Sequence, residues 1–119
     1  MKLTIWLSGK VVPKARPRVT RNGTFMPPRY QSWRQSAQLE MLTQVGQLKI
    51  PIAHPVSISM EFRGKHTPTI DIDNASGAVL DSLVSAGILI NDSIKFVPKL
   101  MLEYLPNFEV TGISVEIKD

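Results

Sequence analysis

The chain has 119 residues, 43% of them hydrophobic, enough to bury one core and too few for two domains. It contains no cysteine, which excludes disulfides, thiolate zinc sites and cysteine nucleophiles, and its two histidines, His54 and His66, cannot build a site of three. The net charge is +4, unevenly spread: residues 1–34 hold eight Lys/Arg and no acid, whereas residues 35–119 hold six Lys/Arg and all ten acids. A basic end joined to an acidic remainder suits a polyanion handled by carboxylates, and a solvated basic loop is the plainer alternative.

Leu3, Ile5 and Leu7 alternate with Thr4, Trp6 and Ser8, which predicts a half-buried strand ended by Gly9. Residues 10–29 form a long connection, because Pro13, Pro17, Pro27 and Pro28 forbid a regular helix. Asn22-Gly23 signals a small hairpin between Val19-Thr20 and Thr24-Phe25. Lys14, Arg16 and Arg18 fall on every second residue, so in an extended chain they share a face that can follow a phosphate backbone. With Lys10, Arg21 and Arg29 they are the candidate phosphate-backbone-binding cations of this end; nothing in the loop reads base identity.

A first helix is expected from Ser32, with Ser32 and Gln35 as a capping box, Trp33, Ala37, Met41 and Val45 as an apolar stripe, and Gly46 as its stop. Tyr30 and Arg34 near its start are candidates to face nucleic acid. Residues 55–63 alternate as a strand, with Val56, Ile58, Met60 and Phe62 in one phase. His66 is expected as a loop residue and His54 as structural. A second helix, capped by Asp73 or Asn74, buries Ala75, Ala78, Val79, Leu83 and Ala86 and stops at Gly87, with Asp81 inside it either solvated or paired with a cation. A strand is expected over 93–104, irregular or at a sheet edge because of Pro98, and the last strand over 110–118 buries Ile113, Val115 and Ile117. The result is an α/β (α+β) domain over residues 1–119. It has a mixed sheet of about four strands in the order β-α-β-α-β-β, with two helices packed on it.

Chemistry concentrates in residues 69–92. If Ile70 to Asp73 is extended, Asp71 and Asp73 share a face about 7 Å apart, from a rise of about 3.3 Å per residue. A turn after the second helix can bring Asp92 back towards the helix start or its flank. Clustered carboxylates repel unless cations hold them, and hard divalent ions such as Mg²⁺ take carboxylate oxygens. A calcium loop counted from Asp71 fails, because position six is Ser76 and position twelve is Ser82. A nucleotidyltransferase reading lacks the Gly-Ser element before the aspartates, and no phosphate-binding P-loop is present. The structural alternative for the aspartates is a capped helix followed by a polar turn.

The run Asp71-Ile72-Asp73-Asn74, then Val79-Leu80-Asp81-Ser82-Leu83, Ala86-Gly87-Ile88 and Asn91-Asp92, resembles the RusA family of Holliday-junction resolvases. The stretch Pro13-Lys14-Ala15-Arg16-Pro17-Arg18 is similar to the basic loop of that family. The resemblance implies a homodimer that cuts four-way DNA junctions with Mg²⁺ or Mn²⁺, in recombination and repair, using Asp71, Asp73 and Asp92 as catalytic metal ligands. Two departures stand out: Gly77 occupies the position of a common family lysine, and Asn91 the first place of a frequent acidic pair. Lys95, Lys99 or Lys65 are the candidate replacements for the missing cation, and Lys95 and Lys99 also belong to the expected DNA-binding set. A non-catalytic branched-DNA-binding protein with the same fold, and a nuclease acting on flaps, are the competing readings. No run of about 18 apolar residues is present and residues 1–9 are too short and polar for a signal peptide, so a cytoplasmic location without membrane attachment is expected.

Overall fold

The computed structural model describes residues 1–14, 18–21 and 23–119. Strand β1 spans Lys2–Ser8, β2 Arg18–Thr20, β3 Gly23–Phe25, β4 Ser57–Arg63, β5 Lys99–Leu105 and β6 Gly112–Lys118. Helices α1 and α2 span Pro28–Leu42 and Ile72–Ser85. Four strands form one mixed sheet in the order β1-β6-β4-β5, and β2 pairs with β3 as a separate hairpin. That hairpin matches the turn signal, although Asn22 itself lies outside the described residues. The antiparallel pairs β1–β6 and β6–β4 set Ile5 opposite Val115 and Met60 opposite Val115, so one buried phase runs across three strands. Strand β4 pairs with β5 in parallel, because the chain crosses over through α2 between them.

The core lies between this buried phase and the helices, joining Leu3, Ile5 and Leu7 to Ala37 and Met41 of α1 and Val79 and Leu83 of α2. One edge of the sheet is closed by α1. The Trp6 N–H donates to Gln44 Oε1 (2.8 Å), Gln44 Nε2 donates back to the Trp6 carbonyl (2.8 Å), and the Ser8 N–H donates to the Glu40 carboxylate (3.1 Å).

Several expectations change. Helix α1 ends at Leu42, short of Val45 and Gly46. Helix α1 starts at Pro28 rather than Ser32, because proline fits the first helical position, where its missing N–H costs nothing and its φ is already helical. The Ser32–Gln35 capping box therefore falls inside the helix. The strand expected over 93–104 begins only at Lys99, and residues 94–96 form a turn in which the Phe96 and Val97 N–H groups donate to the Ser93 carbonyl. Pro98 follows that turn just outside β5, and β5 is an edge strand, as the proline beside it suggested. Finally, Ile72 and Asp73 belong to the first turn of α2, with Asp71 as its N-cap, so the two aspartates do not share a strand face.

Candidate active site

The loop that delivers the aspartates is anchored first. Gly64 ends β4 with φ +87°, and a Cβ there would stand 2.7 Å from the Thr111 Cα, so only glycine fits against the turn before β6. The Lys65 N–H donates to Thr111 Oγ1 (2.9 Å). His66 is buried, and both ring nitrogens are engaged. Nδ1 accepts from the Val11 N–H (3.0 Å), and Nε2 lies 2.9 Å from the Gly112 carbonyl, to which it donates. His66 is thus a strut tying the loop to β6 and to the segment after β1.

Asp71 and Asp73 emerge from this anchored loop at the N-terminus of α2, where backbone N–H groups and the helix dipole favour negative charge. Both are exposed; Asp73 Oδ1 accepts from the Asn74 N–H (3.0 Å), and Asp71 makes no side-chain cap. Asp92 is also exposed, but it stands at the other end of α2. There the Ile52 N–H donates to the Ile88 carbonyl (2.7 Å) and the Ile90 N–H to the Ile52 carbonyl (3.1 Å). The Val56 N–H donates to the Phe96 carbonyl (2.9 Å), which fixes residues 88–96 beside the start of β4. A helix of 14 residues is about 20 Å long, so within one chain α2 separates Asp92 from Asp71 and Asp73.

None of the three aspartates makes an ion pair among the described residues, whereas Asp81, Glu61, Glu116 and Asp119 all do. Three exposed, uncompensated carboxylates fit a hard divalent ion in donor chemistry. Among the described residues of a single chain, no three His, Asp or Glu side chains stand close enough together to hold one.

The cations are distributed around these aspartates. The Lys14 N–H donates to the Asn74 carbonyl (3.0 Å), joining the basic loop to the first turn of α2. A Cβ on Gly77 would lie 3.5 Å from Lys14 Cδ and 3.8 Å from its Cβ, so the Lys14 stem lies across the bare face of the glycine. The cation brought to Gly77 is therefore Lys14; local spacing gave no sign of it. Lys10, Arg21, Arg29, Lys95 and Lys99 are exposed. Arg18 opens β2, and Arg16 lies outside the described residues. Lys95 and Lys99 sit in the segment that follows Asp92, at the end of the molecule away from Gly77.

Tyr30 and Arg34 turn inward instead of towards solvent. The Tyr30 hydroxyl donates to Asp81 Oδ2 (2.7 Å), and Arg34 Nη1 donates to the same oxygen (2.9 Å), clasping α1 to α2. Burial alone would raise the Asp81 carboxyl, but these two hydrogen bonds and the nearby Lys14 and Arg34 charges hold it below its ordinary value of 3.8. Burial, then the bond to Asp81, push the Tyr30 hydroxyl well above its usual range.

An α+β sheet that presents exposed carboxylates beside a cation-rich loop is suited to phosphodiester chemistry. Residues 8–118, nearly the whole chain, match the family model described as Endodeoxyribonuclease RusA. The chain belongs to the RusA endodeoxyribonuclease family, nucleases that act on Holliday junctions and bind branched DNA. No curated protein matches it. Among the described residues no helix is long and apolar enough to cross a membrane.

Proposed function

We propose that this chain is a metal-dependent Holliday-junction resolvase working as a homodimer in the cytoplasm, in DNA recombination and repair. The observation that carries the reading is the set of exposed aspartates, Asp71, Asp73 and Asp92, which make no ion pair among the described residues, in a chain of this family. These carboxylates would hold Mg²⁺, with Mn²⁺ able to replace it, and a bound ion would supply activation of water and neutralisation of charge on the scissile phosphate. Lys14, its backbone fastened to Asn74 and its stem laid across Gly77, supplies a cation on this flank of α2 for the charge that develops on the phosphate. Lys10, Arg16, Arg18, Arg21 and Arg29 hold the DNA backbone, and Lys95 and Lys99 hold it near Asp92. Symmetry between two copies presents two sites to a symmetric junction.

A panel of labelled four-way junction, flap and linear duplex, incubated with Mg²⁺ or EDTA, tests the substrate. Paired nicks in the junction with Mg²⁺ alone are expected. Preferential cutting of the flap would replace the resolvase reading with a flap nuclease, and tight binding with no product would favour a binding protein.

A further inference from the structure

The strand phase opposite the core holds Trp6 on β1 and Arg63 on β4, and Phe108 follows β5 in the turn before β6. The Arg63 guanidinium carbon lies 4.7 Å from the centre of the Phe108 ring and 6.0 Å from that of Trp6. The Trp6 indole rests against bare Gly112, where a Cβ would stand 2.2 Å from Trp6 Cζ2. Glu61 accepts from Arg63 Nε (3.0 Å) and from Arg63 Nη2, which orients the guanidinium and offsets its charge. Arg63 therefore joins two rings into one supported unit and is not a free phosphate clamp.

That unit keeps an unused side. Phe108 is 45% exposed and Val110 66%, yet their turn is fastened at both ends. The Gly9 N–H donates to the Thr111 carbonyl (3.0 Å), and the Gly64 N–H donates to the Leu105 carbonyl (2.9 Å). The turn is thus tied to the root of the basic loop and to the root of the loop that bears Asp71 and Asp73. Lys10 and Lys65 stand at these two roots and are exposed. Beside the unit, Glu61 and Glu103 lie side by side in register, and the turn itself presents Glu109. Phosphates are therefore favoured at the two lysines and disfavoured on the unit, which leaves an uncharged ring as the group that suits Phe108.

We propose that Phe108, backed by Arg63 and Trp6, stacks a base freed at the branch point of DNA, with the flanking phosphates at Lys10 and Lys65. Aromatic side chains stack bases of any sequence, because every base has a π-face. A base inside a continuous duplex is already stacked on both sides, and freeing it costs more than freeing one at a branch. The platform therefore selects DNA by shape and not by sequence. Val110 widens its apolar surface on the same turn. This role rests on the branched-DNA binding of the family and needs no metal.

Photocrosslinking and affinity in EDTA test the platform apart from any cutting. Four-way junctions carry one iododeoxyuridine, either at the branch point or midway along an arm, and the crosslinked peptide is mapped by mass. The branch-point label should attach to Phe108, and the mid-arm label should not. In gel shifts, Phe108→Leu should lower junction affinity about 5- to 100-fold and leave affinity for a hairpin-capped linear duplex unchanged. Phe108→Trp should bind the junction as the wild type does. Three results would each overturn the platform: a wild type bound to the junction with no crosslink at Phe108, wild-type junction affinity in Phe108→Leu, or equal losses on both DNAs by a Phe108→Leu protein that melts like the wild type. Where that variant melts lower, the wild-type crosslink alone decides. Each of these failures leaves the metal-dependent reading standing, because cutting in Mg²⁺ measures that reading separately.

Discussion

At the residue scale, the clasp between the helices is the clearest case of chemistry set by burial. Asp81 accepts from both Tyr30 and Arg34, and removing it strands a buried hydroxyl. Asp81→Ala should destabilise the fold by about 1–3 kcal/mol, and Tyr30→Phe by about 0.5–1.5 kcal/mol. The Asp81 carboxyl titrates below 3.8 in the folded chain, so its contribution is complete above that value and is lost as pH falls through its lower folded value. Urea midpoints measured against pH should therefore drop on the acid side in the wild type, and drop less in Asp81→Asn. Lys14 is the second residue whose surroundings define its part. Lys14→Ala removes the cation over Gly77 and should slow junction cutting by about 10²-fold while junction affinity falls much less. An equal loss of affinity and rate, measured by gel shift and single-turnover cutting, would make Lys14 a DNA-holding residue only.

At the scale of elements, strands β1, β4 and β6 could be read from the sequence because alternation is local and each buries one clean phase. The start of α1 and the start of β5 could not. A capping-box pattern at Ser32 competed with Pro28, and the apolar alternation of Ile94 and Phe96 continued through a turn held by the Ser93 carbonyl. Asp81 lies on a different helix from Tyr30 and Arg34, so its meeting with them carried no local signal. The loop from β4 to α2 depends on one close approach. Gly64→Ala forces a methyl to 2.7 Å from the Thr111 Cα at a positive φ, and should cost about 1–3 kcal/mol of stability. Thermal or urea unfolding measures it, and an unchanged midpoint would show that the β6 turn yields freely.

At the scale of the molecule, the sequence already pointed to phosphodiester chemistry through a basic first third, a DIDN turn and a distant Asp92. Which end of the molecule holds each aspartate was not visible there, because it depends on the pairing of Ile52 with residues 88–90, over 30 positions away in sequence. The family match over residues 8–118 makes the chain a RusA-family nuclease, and the proposed chemistry is assigned to the exposed Asp71, Asp73 and Asp92. The most direct measurement is cutting of a labelled four-way junction in Mg²⁺ by wild type and Asp73→Asn, with binding followed in the same samples. The account predicts paired, Mg²⁺-dependent nicks by the wild type, reduced about 100-fold or more in the variant while binding persists. Unchanged cutting by a folded Asp73→Asn protein, or cutting that survives EDTA, would contradict it.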